Sequence, residues 1–110
     1  MKGRAWRVFF TLLVVVIAVL AFMPGRQMPL QTVSDKLNHM AAFAVLGWVA
    51  WRAFPARRAG AFAGLFVFGV LIELVQSQLP TRSAELGDLA ADVVGLLIAA
   101  LLGWLTTRRR

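Results

Sequence analysis

The sequence predicts an all-α integral membrane protein: a four-helix bundle of about four transmembrane helices, with both termini cytoplasmic. Three observations predict it. Of the 110 residues, 60% are hydrophobic and only 15% charged, far from the balance of a soluble globular domain. The apolar residues fall into four runs near the length needed to cross a ~30 Å hydrocarbon core. Arginine and lysine collect on alternate connections, as they do on the cytoplasmic side of membrane proteins.

The elements follow in order as a single transmembrane domain over residues 1–110, with spans at about 6–23, 37–54, 60–79 and 88–105. The first run is uncharged from Val8 to Met23 and passes through Val14-Val15-Val16-Ile17. A cleaved signal peptide is the rival reading, with Val19-Leu20-Ala21 as its small-residue end, but the run is long for such a segment and more spans follow. Pro24-Gly25-Arg26 stops this helix, and Pro29 keeps the connection extended. Ser34 is placed to cap the second helix, and Asp35 sets a negative charge against its positive end. Arg52, Pro55, Arg57 and Arg58 make a short basic turn before the third span, which ends at Pro80. Gly60, Gly64 and Gly69 in that span permit close helix approach. Asp88 opens the fourth span, where Gly95, Ala99 and Gly103 form a small-residue stripe that serves an intramolecular contact or a dimer equally well.

Charge by side gives the orientation. With the N-terminus cytoplasmic, that side holds Lys2, Arg4, Arg7, Arg52, Arg57, Arg58 and Arg108-Arg109-Arg110, with no acid. The outer half holds Arg26, Lys36 and Arg82 together with all five acids. The net charge of +7 is thereby explained by topology and anionic lipid, and nucleic acid is not an expected partner. No cysteine is present, which excludes disulfides, thiolate metal sites and cysteine nucleophiles.

One polar constellation stands out. Glu73 lies roughly 9 Å below the outer end of its span, and His39 and Asp92 lie roughly 6 Å inside theirs, at ~1.5 Å per residue. Asp35 and His39 share a helix face, as do Asp88 and Asp92, and Glu73 and Gln76 are three apart. A carboxylate at that depth costs several kcal/mol unless it is paired or faces a polar cavity, so Glu73 marks a functional site by default. Glu73 is expected within ion-pair reach of Arg82, Lys36 or His39. The two hairpins also read as a parallel repeat, each re-entering at Asp35 or Asp88 with a polar residue four later.

The pattern Asp35-Lys36-x-x-His39, then Glu73-x-x-Gln76 with Pro80 and Arg82, then Asp88-x-x-x-Asp92-x-x-Gly95 resembles the VanZ-like family of small bacterial membrane proteins. The resemblance runs from about Asp35 to Gly103, and Asp92 stands where that family usually has Asn. It implies a multi-pass protein of the bacterial inner membrane, in a family whose founding member is linked to resistance to a glycopeptide antibiotic, teicoplanin.

Two functions from different classes fit these residues. In the first, an outer-leaflet polar pocket with Asp35, Lys36, Gln76, Arg82, Asp88 and Asp92 as ligand-binding residues engages envelope lipids or an amphiphilic, glycopeptide-type small molecule. In the second, Glu73 and His39 are catalytic, as a general acid/base pair acting on a lipid-linked substrate, with Arg82 and Lys36 holding a phosphate. A purely structural cluster that clamps the helices is a third reading. No cofactor is expected, and no metal, because a single histidine without a ligand-spacing motif is thin for zinc. No GxSxG turn is present to hold a serine nucleophile.

Overall fold

The computed structural model describes residues 2–22, 35–78 and 86–108, and they are helical almost throughout. The four helices are α1 (Gly3–Phe22), α2 (Asp35–Ala53), α3 (Arg58–Gln76) and α4 (Leu86–Thr107). α1, α3 and α4 are long and apolar enough to cross a membrane. Ser34, Pro80 and Arg82 lie outside the described residues, as does the side chain of Asp35, so the expectations placed on them have no structural counterpart here.

The helix ends differ from the sequence expectation by one to three residues, for local reasons. α1 begins early because the Trp6 amide already donates to the Lys2 carbonyl at 3.1 Å. α3 stops at Gln76 rather than Leu79: Ser77 Oγ donates to the Leu74 carbonyl at 2.6 Å, and the Gln78 amide tightens to the Val75 carbonyl at 3.0 Å. A serine that satisfies a last-turn carbonyl competes with continued helix. α4 starts at Leu86, which puts Asp88 inside its first turn, where a carboxylate faces the positive end of the helix.

α2 is the hub. It packs against each of the other three helices, whereas α1 and α4 do not touch. Phe43, Leu46, Val49, Ala50 and Ala53 of α2 are buried, which explains why the least apolar helix is the most enclosed: its neighbours, not its own side chains, supply the apolar exterior. α1 is peripheral, with no buried residue, and lays Phe10, Leu13, Val14, Ile17 and Ala21 against the core. The outward faces of α1, α3 and α4 are apolar, with Leu12, Val16, Val67, Leu71, Leu97 and Leu101 all exposed.

α2 and α4 run parallel in fixed register. Three contacts along the seam join residues 52 or 53 positions apart: His39 with Asp92, then Gly47 with Ala99 and Trp51 with Gly103. Glycine is required along this seam. A Cβ at Gly95 would run into the Met40 carbonyl oxygen and the Ala44 nitrogen, and one at Gly103 into the Trp51 ring. The small-residue stripe of α4 therefore serves an intramolecular contact. Gly60 and Gly64 do not serve the close approach expected of them, since among the described residues added Cβ atoms there would meet nothing within 4 Å. Of the three α3 glycines, Gly69 alone is a close contact, facing Asp92 and Phe43.

The end of the bundle opposite the Asp35 end is basic and aromatic. The Arg58 guanidinium stacks 4.1 Å from the Trp51 ring centroid while its Nε donates to the Trp51 carbonyl at 3.1 Å. Arg52 lies over Trp48 at 4.8 Å and Arg108 over Trp104 at 5.0 Å. Such pairs anchor arginine heads beside apolar surface.

A candidate polar site shared by three helices

Because α2 and α4 run parallel, His39 and Asp92 reach the same level near the start of each helix. His39 Nδ1 and Asp92 Oδ1 are 2.8 Å apart. Asp92 is fully buried, and its Oδ2 has no hydrogen-bond partner among the described residues. That oxygen lies against α3 at Gly69, 2.8 Å from where a Cβ would stand. Any larger residue at Gly69 would displace it.

Gly69 is one turn before Glu73, so the same face of α3 carries Glu73 into the group. His39 Nε2 lies 3.8 Å from Glu73 Oε1 and 3.9 Å from Asp88 Oδ2. Lys36 Nζ is 3.8 Å from Asp88 Oδ1, at the edge, where the lysine side chain is 54% exposed and the aspartate only 4%. The Lys36 stem packs where a side chain at position 87 would otherwise sit, which gives Gly87 its use.

The structure thus brings together His39, Glu73, Asp88, Asp92 and Lys36, and puts Glu73 in ion-pair reach of His39, one of its expected partners. Gln76 goes elsewhere. Its Nε2 donates to the Ala21 carbonyl at 2.9 Å, satisfying one of the carbonyls left open at the end of α1. Three residues along a helix is a rotation of about 300°, 60° short of a full turn, so Gln76 lies beside the Glu73 face on the buried stripe of Leu65, Gly69 and Ile72 but nearly one turn closer to the end of α3, where it meets α1. Gln76 is thereby a tie between α1 and α3. Gln76→Leu is expected to cost about 1 kcal/mol by orphaning that carbonyl, read as a lower unfolding midpoint with no change in ligand binding at the His39 cluster.

Sequence reasoning named Gly69 for close helix approach but not as the position that makes room for the Asp92 carboxylate, and it missed Gly47, which lets α2 sit close to α4. Their signal is positional. Gly69 precedes Glu73 by four residues, so a small residue there clears space on the face that carries the acid. The arrangement can hold a cation, accept protons or hydrogen bonds from a headgroup, or pass a proton between His39 and Glu73. His39, Glu73 and Asp88 each offer one ligand atom, and the three atoms all lie within 4.8 Å of one another.

No family model matches the chain, and no solved structure matches it. The chain is similar to an uncharacterized protein of the fission yeast Schizosaccharomyces pombe, 33% identical over 106 residues, which covers 92% of this chain. It spans 64% of the length of that relative.

Proposed function

We propose that this chain is a VanZ-like integral membrane protein whose His39, Glu73, Asp88 and Asp92 form an outer-leaflet site for the polar headgroup of an envelope lipid or amphiphilic ligand. In this reading all four helices cross the membrane, both termini are cytoplasmic, and α2 crosses as the enclosed centre. The observation that carries it is the convergence of four ionisable side chains from three helices at one end of a bundle whose outward faces are apolar. Ionisable groups kept among apolar helices are costly and mark ligand or ion sites. Placement in a bacterial inner membrane, and an amphiphile of glycopeptide type, come with the family resemblance.

The test is native mass spectrometry of the chain extracted with its lipids. An amphiphile with one defined headgroup is expected on the wild-type chain and is expected to be depleted on Glu73→Gln. Equal retention of the same lipids by both would overturn the headgroup site. A second reading is favoured by the short His39–Asp92 contact, since an imidazole braced by a carboxylate and turned toward Glu73 is suited to general acid/base work. Glu73→Gln that keeps the ligand but loses the cellular phenotype would favour it.

Topology is separately testable because native cysteine is absent. Single cysteines at Gln31 and Ser83 are expected to react with an impermeant maleimide in intact cells stripped of any outer barrier. One at Ala56 is expected to react only after lysis. The reverse pattern would turn the His39 cluster toward the cytoplasm and remove an external ligand.

A further inference from the structure

A groove of about 510 Å³ runs between α1 and α3 toward the basic end of the bundle. Its α3 wall carries Arg57, Gly60, Ala61, Gly64 and Phe68, which share one face of the helix. Phe10 and Val14 of α1 stand opposite, and Phe10 meets Phe54 edge to face, with ring centroids 5.2 Å apart. Apart from Arg57, every lining residue is apolar. The floor is bare at Gly60 and Gly64, where among the described residues no atom lies within 4 Å of a Cβ position. These glycines therefore hold a channel open instead of drawing in another helix of this chain.

One end of the channel is cationic. Arg57 is exposed there and stands at the N-cap of α3, with no side-chain capping bond and no acid in the first turn of the helix. A guanidinium and the positive end of a helix coincide, and both favour an anion. The sequence holds no acid before Asp35 and none between Lys36 and Ile72, so no carboxylate of α1, of the 54–57 turn or of the first half of α3 takes that place. From Arg57 to Phe68 the helix rises about 16 Å at ~1.5 Å per residue, close to the roughly 15 Å of one leaflet in a ~30 Å hydrocarbon core. An apolar channel one leaflet deep with a cation at its mouth has the outline of a lipid with an anionic head.

We infer that this groove binds one anionic phospholipid of the leaflet at the basic end, with an acyl chain over Gly60 and Gly64 and the phosphate on Arg57. The inference rests on the reading that the helices lie in a membrane, and it is independent of the site at His39. Charge decides against a second copy of the chain as the occupant. Two copies docked glycine to glycine would bring their Arg57 side chains together, and juxtaposed like charges oppose association. A phospholipid brings the complementary charge, in the form that a guanidinium binds with two parallel hydrogen bonds.

The experiment strips the full chain of lipid in detergent, adds phosphatidylglycerol and phosphatidylcholine with identical acyl chains in equal amount, and reads retention by native mass spectrometry. One phosphatidylglycerol per chain is expected to persist under activation that removes phosphatidylcholine. Arg57→Gln should lower that preference at least about fivefold, the worth of one arginine beside an anionic surface. Arg108→Ala removes an arginine of the same end that lies outside the groove, over Trp104, and should leave the preference in place. Gly64→Leu fills the channel from an exposed helix face and should lose the retained lipid while keeping the wild-type unfolding midpoint. Glu73→Gln should leave phosphatidylglycerol retention unchanged, so the groove and the His39 site fail separately. Equal retention of the two lipids by the wild-type chain, equal loss of preference in Arg57→Gln and Arg108→Ala, or full retention by Gly64→Leu overturns the lipid site. A dimer that Gly64→Leu dissociates overturns it too, and gives the groove to a second copy.

Discussion

Gly95→Ala is expected to unfold a large share of the protein, although it adds one methyl group to a helix. The added Cβ would enter the space of the Met40 carbonyl oxygen and the Ala44 nitrogen, both backbone atoms, so no rotamer change on α2 relieves the clash. α2 and α4 must separate along their whole parallel seam, and the His39–Asp92 contact at its end opens with them. Overpacking of this kind costs typically 1–3 kcal/mol and more where the backbone must shift. Gly64→Ala is the matched control: among the described residues nothing lies within 4 Å of its Cβ position, and alanine is the better helix former by about 1 kcal/mol. The measurement is the monodisperse folded fraction after detergent extraction, followed by the midpoint of unfolding in a denaturing-detergent titration. Equal midpoints for the two variants would show that the seam is not the close contact described.

This pair of glycines also shows how far the sequence could be read. Long apolar runs interrupted by proline and arginine located all four helices, because hydropathy over twenty residues is a strong signal. The spacing Gly95, Ala99, Gly103 announced a close contact, but small residues say only that some backbone is near, so α2 as the partner was not legible. The similar spacing of Gly60 and Gly64 announced a contact that the described residues do not make. At the site, depth along the helix axes set His39, Glu73 and Asp92 at a shared level, since residue rise is fixed, and the structure places these three side chains near one another. Rotation about the axis is not fixed by depth. Gln76 shares the level of Glu73 within a turn, yet faces α1 and holds the Ala21 carbonyl. Helix ends were legible to within three residues, the remainder being decided by single side chains such as Ser77.

The second large effect is expected at the His39–Asp92 pair. His39→Leu alone leaves Asp92 buried, with neither carboxylate oxygen bonded among the described residues. Removing one partner of a buried pair typically costs 3–5 kcal/mol. Asp92→Leu keeps the branched shape of the aspartate and removes the charge, so it strands only the His39 Nδ1 proton, which is the smaller penalty. In the double variant His39→Leu/Asp92→Leu neither polar group is stranded, and an apolar pair replaces an ionisable one, a change that is often neutral or better. The double is therefore expected to be more stable than His39→Leu alone, with a coupling energy at the upper part of the 0.5–3 kcal/mol range found for residues in contact. Recovery is partial, because Glu73 and Asp88, at 3.8 and 3.9 Å from His39 Nε2, lose the same ring. Unfolding midpoints of the four chains give the cycle directly. Strict additivity would mean that the two side chains do not share an energy, and that the contact at 2.8 Å does not organise the site. If the proposed headgroup site holds, a folded double variant that no longer retains an amphiphile would separate the two roles of the cluster, since it keeps the α2–α4 seam while deleting the imidazole.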